Sequence, residues 1–191
     1  MTRNQKGFTL VEIAIVLVII GLLIGGVLKG QAMIQNAKVK RVVKSADELR
    51  AAMYTFYDKY GMYPGDENLS NAGTGIPPND THNGDGGGQI TAAEAPQLFE
   101  DLALADIISG DFDGAGEDSI PRHAFGDTYR VYWLNPGGGA DHFIRYDNLP
   151  WDVAQEIDTK YDDGVYNTGN IRASENYAPG TSPVGYVYMP L

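Results

Sequence analysis

Lys6-Gly7-Phe8-Thr9-Leu10-Val11-Glu12-Ile13 opens a stretch in which, after Glu12, no charge appears until Lys29. From Phe8 to Leu28 nearly every residue is apolar. A helix rises about 1.5 Å per residue, so roughly 20 apolar residues cross the ~30 Å hydrocarbon core of a bilayer. The run predicts a membrane-spanning helix. Its single ionisable residue is Glu12, near the N-terminal edge. A carboxylate at mid-span costs roughly 2.5–3.5 kcal/mol, so such a residue marks a functional position with a partner to be found. The competing reading is that Glu12 sits at the headgroups, snorkelling or protonated.

The flanks distinguish an anchor from a cleaved secretory signal. Residues 1–7 are short, polar and positive through Arg3 and Lys6. A secretory signal carries its small-residue cleavage site after the apolar run. Gly25-Gly26-Val27-Leu28-Lys29 is a poor match to one, which predicts a retained anchor.

On these residues, Lys6-Gly7-Phe8-Thr9-Leu10-Val11-Glu12 resembles the N-terminal signature of type IV pilins and type II secretion pseudopilins. The resemblance covers roughly the first third of the chain. It implies that a prepilin peptidase cuts between Gly7 and Phe8 and that the new N-terminal Phe8 is methylated. It makes Glu12 the family's glutamate, paired in a filament with the α-amino group of Phe8 on a neighbouring copy. An unpaired buried charge costs several kcal/mol, so the pair would set subunit register. The implied partners are other copies of the chain, other pilins or pseudopilins, the peptidase and an inner-membrane assembly platform. The implied location is a single pass of the inner membrane with the head in the periplasm, then a pilus or pseudopilus that can reach the cell surface. Arg3 and Lys6 favour a cytoplasmic N-terminus, but Lys29, Lys38, Lys40, Arg41 and Lys44 beyond the span oppose that rule. The orientation therefore rests on the resemblance.

The chain departs from many pilins in two places. It lacks their proline just after the span and has Gly21, Gly25, Gly26 and Gly30 instead. Glycine costs a helix roughly 0.8–1.0 kcal/mol relative to Ala, so these positions predict either local melting in a filament or close helix packing. The sequence also has no cysteine, which excludes the disulfide that closes a C-terminal loop in many pilins.

Charge is split along the chain. Up to Tyr60, nine Lys/Arg against four Asp/Glu give +5; beyond it, five against twenty-one give −16, for a net −11. Nucleic-acid binding needs cations to displace phosphate counterions, so an acidic head excludes it as the expected partner. It fits an exposed, soluble surface and cation binding.

Past the span, Val39, Val42, Val43, Ala46, Leu49, Met53, Phe56 and Tyr60 recur at three- and four-residue steps. That spacing predicts an amphipathic continuation of the helix, ended by Gly61 and Pro64. The expected organisation is a leader at 1–7, a membrane half of the helix at 8–30, an amphipathic half at 31–60 and an acidic α+β head at 61–191. The expected fold is α+β, a pilin-like lollipop in which the long helix packs on a small antiparallel sheet.

Within the head, residues 68–88 have loop composition. Asn83, Asp85, Gly88 and Glu94 faintly follow the spacing of a calcium-binding EF-hand loop, with Gly87 where a ligand belongs. Thr91-Ala92-Ala93-Glu94 also reads as a capping box. The Asp111–Asp118 loop, with Asp111 and Asp113 foremost, is a second acidic, glycine-broken segment, and calcium is the candidate cofactor for both. A helix is expected from about Ala95 to before Gly110. A hairpin follows, with Tyr129, Val131 and Trp133 on one face of the first strand and a return strand at His142–Tyr146. A short helix opens at Pro150, and Val184–Met189 forms a last strand that closes the sheet.

No enzyme is expected. His82, His123 and His142 lack metal-ligand spacing, and nothing assembles a nucleophile, base and orienting group. The function read from the sequence is a structural filament subunit. Two alternatives stay open: a minor subunit that primes or tips the filament, and a bitopic membrane protein whose periplasmic head binds calcium or another ligand.

Overall fold

The computed structural model describes residues 7–68, 82–181 and 183–191. Its elements in order are α1 (Leu10–Tyr60), α2 (Gln97–Leu104), a 3-10 turn (Glu117–Ser119), β1 (Tyr129–Leu134), β2 (Asp141–Leu149), α3 (Trp151–Tyr161), β3 (Arg172–Ala173) and β4 (Val184–Pro190). The fold is α+β: one long N-terminal helix and a four-stranded antiparallel sheet of order β1-β2-β4-β3.

The chain divides into two compact units, one ending at Lys38 and the other Val39–Leu191. In the first unit the large apolar side chains from Phe8 to Leu28 are exposed. This is the one helix among the described residues that is long and apolar enough to cross a membrane. α1 runs unbroken through Gly21, Gly25, Gly26 and Gly30, and an added Cβ at any of them would meet nothing within 4 Å. Among the described residues, no contact therefore requires glycine there.

The second unit holds the core. Val39, Val42, Ala46, Leu49, Met53 and Phe56 are buried, which confirms the stripe. They share one cluster with Val131, Ile144 and Tyr146 of the sheet and Val153 and Ile157 of α3. The Tyr146 hydroxyl donates to the Val42 carbonyl at 3.1 Å and lies 2.9 Å from Ser45 Oγ. Arg50 donates to the Pro190 carbonyl from Nε and Nη2, at 2.9 and 2.7 Å. These contacts fix the register of α1 against β2 and β4. As expected, α1 stops before Gly61, whose φ of +76° suits glycine after a helix end.

The hairpin forms as read, with Tyr129 opposite Tyr146 and Leu134 opposite Asp141. Its burial does not alternate, because both faces of β1 are covered. Val131 is fully buried on the core face, and Arg130 is buried on the other. Arg130 is bonded bidentately to Glu117 at 2.8 and 2.7 Å and paired with Asp147 at 3.0 Å. Asp147 also meets Arg145 at 2.8 Å, and the Arg145 guanidinium lies between the rings of Tyr132 and Tyr186. This ionic layer pins the 3-10 turn to the sheet.

β4 does not lie at the sheet's edge. It runs between β2 and the two-residue β3, with Val184 and Val187 fully buried. β3 was not legible, since two residues carry no period.

Candidate functional site

Two regions hold the residues singled out by sequence. The first is the start of α1. Thr9 precedes the first helical residue, and its Oγ1 accepts the Glu12 N–H at 3.3 Å. In return, Glu12 Oε2 accepts the Thr9 N–H and the Thr9 hydroxyl, each at 2.8 Å. The pair is a reciprocal capping box, satisfying backbone donors that a helix N-terminus otherwise leaves open. The carboxylate thus has a partner inside its own chain. Thr9-x-x-Glu12 is the spacing that announces such a box, so this contact was readable. Gly7 and Phe8 precede the helix, and Phe8 is 85% exposed. Phe8, Glu12, Ile13, Ile15 and Val16 line an open hollow of about 320 Å³. Arg3 and Lys6 lie outside the described residues, as does most of the 68–88 loop.

The second region is acidic. Asp85 and Glu94 come together with Asp66: one oxygen from each lies within 4.8 Å of the others. Asp66 is buried, and its two oxygens accept the N–H groups of Gly87 and Gly88 at 2.9 and 2.8 Å. Burial pushes its carboxyl above the ordinary range. Glu94 accepts the Asp85 N–H at 3.1 Å and the Thr91 N–H at 2.7 Å. The second of these is half of the expected capping box. It serves the turn at residues 92–96, because α2 itself starts later, at Gln97.

Asp111 and Asp113 belong to neither of the two carboxylate groups found among the described residues. Asp113 is occupied by its own loop: it accepts the Ala115 N–H at 3.0 Å and the Ser119 hydroxyl. Those bonds hold its carboxyl below the ordinary range.

The other group, Asp158, Asp162 and Asp163, lies at the end of α3. Asp162 accepts the N–H groups of Asn170 and Ile171, at 2.5 and 2.7 Å. Asp158, buried, accepts Tyr177 Oη–H at 2.8 Å. Hard carboxylate oxygens in such sets suit Ca²⁺ or Mg²⁺ rather than a thiolate-seeking metal. Asp66 was missed because it lies far along the chain from Asp85, across residues with no readable period.

The histidines stay dispersed. His123 donates from Nε2 to the Asp147 carbonyl at 2.8 Å and accepts the Phe125 N–H at Nδ1. His142 accepts the Ile90 N–H at 3.2 Å and packs against Tyr63 and Trp133.

Geometry and sequence agree on a class, a protein with an exposed, capped, membrane-length helix at its N-terminus. Residues 2–28 match the prokaryotic N-terminal methylation motif. Two proteins of Neisseria gonorrhoeae, each described as type IV major pilin protein PilE1, are 36% identical to this chain over 81 residues. That is 42% of this chain and 48% and 44% of theirs, so the chain spans less than half the length of these relatives. No solved structure matches. The chain is thus type IV pilin-like, carrying the N-terminal methylation motif and homologous over that span to a major pilin.

Proposed function

We propose that this chain is a structural, non-enzymatic subunit of a pilus or pseudopilus, processed between Gly7 and Phe8 and assembled through α1. The observation that carries the reading is the Thr9–Glu12 box at the mouth of a helix whose large apolar side chains from Leu10 to Leu28 all face outward. An apolar surface of that extent needs a bilayer or partner helices around it. In the membrane-held monomer, Thr9 keeps Glu12 bonded near the membrane edge. Cleavage gives Phe8 an α-ammonium group. In a filament, Glu12 then exchanges its bonds to Thr9 for an ion pair with the Phe8 ammonium of a neighbour, which sets register.

The similarity to a major pilin and the signature at residues 2–28 support this reading. The partners it requires are other copies or other pilins, a prepilin peptidase and an inner-membrane assembly platform, with the head in the periplasm before assembly. The test is immunogold electron microscopy of sheared filaments from cells with and without this protein. Label along filament lengths, lost on deletion, is expected. Label confined to the ends would identify a priming or tip subunit, and no label on any filament would overturn the reading.

A second reading concerns the head alone: that it binds Ca²⁺. The Asp66, Asp85 and Glu94 group favours it, with two of three carboxylates buried close together. Asp111 and Asp113 are not in that group.

A further inference from the structure

Half of the Lys and Arg residues of this acidic chain lie on α1, and one side of that helix builds a basic notch with the head. Arg41, Lys44, Ser45 and Glu48, spaced on one helical face, line a cavity of about 150 Å³ together with Arg122 and Tyr129. Three cations thus face one carboxylate. Lys44 reaches Glu48 at 3.0 Å, with both side chains largely exposed, and such a pair is worth little. Arg41 makes no hydrogen bond or ion pair among the described residues, and Arg122 donates to the Gly126 carbonyl at 3.1 Å, with Asp127 as its nearby carboxylate. His123, also on the rim, has both ring nitrogens bonded to backbone and stays neutral, since burial holds its pKa down.

Unmatched anions lie elsewhere on the same unit. In the Asp111–Asp118 loop, Glu117 is held by Arg130 and Asp113 by Ser119. Asp111 and Asp118 are exposed and make no hydrogen bond or ion pair among the described residues. Two different patches of opposite charge on one chain are what a head-to-tail contact between copies requires, and such contacts build open helical filaments. The head's charge of −16 beyond Tyr60 makes neighbouring heads repel unless the cations of α1 meet carboxylates across the contact.

We infer that the Arg41–Lys44–Arg122 notch receives the Asp111–Asp118 loop of a second copy of this chain, a charge-matched contact separate from the packing of the apolar helices. The inference rests on the filament reading for its setting but is tested apart from it.

The chain has no cysteine, so introduced thiols report one contact only. Full-length Lys44→Cys and Asp118→Cys chains are co-expressed, and membranes and sheared filaments are oxidised separately. A mixed disulfide dimer is expected in at least one fraction, absent when either variant is expressed alone. A dimer in membranes without any filaments would keep the contact and defeat the filament reading. No dimer in either fraction would overturn the contact, whatever the filament count.

In parallel, Arg41→Glu with Arg122→Glu is expected to lower filament number or membrane cross-linking at least tenfold. Adding Asp111→Lys and Asp118→Lys to the same chain should restore it. If the reversal instead abolishes binding of the full chain to phosphatidylglycerol vesicles and the compensating lysines restore nothing, the notch serves a lipid headgroup and the inference fails.

Discussion

Glu12 is the residue on which the account turns. In the single chain its carboxylate is satisfied by Thr9, so the charge is tolerated at the helix start without a neighbour. Glu12→Ala removes an apolar-segment charge, and membrane insertion should persist or improve. Cleavage should persist as well, because Gly7 and Phe8 are untouched. Assembly should fail, since a neighbour's Phe8 ammonium then enters the filament interior unpaired, at roughly 3–5 kcal/mol per subunit. Counting filaments alongside immunoblots for the cleaved monomer checks this. Wild-type filament number would show that Glu12 is only a capping and snorkelling residue.

His123 gives a second expectation at this scale. Burial lowers its pKa from the ordinary 6.5, so the folded chain holds it neutral while the unfolded chain protonates it first. Its contribution to stability is present above about pH 6.5 and is lost as pH falls through the folded value. Buried Asp66 and Asp158 act in the opposite sense, because their raised pKa values favour the folded state at lower pH. The comparison is therefore with His123→Gln, whose melting temperature should fall less between pH 7 and 5 than that of the wild type. Equal slopes would contradict the assignment. Of these residues, Glu12 was legible as a charge in an apolar run; its bond to Thr9 went unread, although the spacing of a capping box announced it. Asp66 was not, because a contact made across a loop leaves no local pattern.

At the scale of elements, α1 carries the most. Phe56 and Met53 are fully buried at its head-facing stripe. Phe56→Ala should cost about 3–5 kcal/mol, read by denaturant unfolding of the purified chain. Tyr146→Phe keeps the ring but leaves the Val42 carbonyl and Ser45 hydroxyl without that partner. It should cost about 0.5–1.5 kcal/mol, and Tyr146→Phe combined with Ser45→Ala should cost less than the two single changes added, since they share one bond.

The periodic elements were readable: the α1 stripe, the hairpin and α3 all follow from apolar spacing. The place of β4 and the existence of β3 were not, since sheet order depends on pairings between distant segments. Nor was the burial of Arg130. An arginine in an alternating strand reads as solvent-facing, and only Glu117 and Asp147, brought in from elsewhere, make its burial tolerable.

For the whole molecule, the division of charge and hydrophobicity is the main feature: an exposed apolar helix segment to Leu28 and an acidic head. Among its described residues the head offers two groups of three carboxylates, and calcium at a hundredfold excess over its dissociation constant would add about 2.7 kcal/mol at one site. Melting in calcium against chelator checks this, and Asp66→Asn should abolish the difference if Asp66, Asp85 and Glu94 hold the ion. Coincident curves for the wild type would dispose of the calcium reading and leave the filament reading intact.

The central claim is that the protein works as a processed filament subunit. Intact-mass spectrometry of the assembled form from its native membrane tests it most directly. The predicted mass is that of a chain beginning at Phe8 with one added methyl group. An assembled form that still carries residues 1–7 would contradict it.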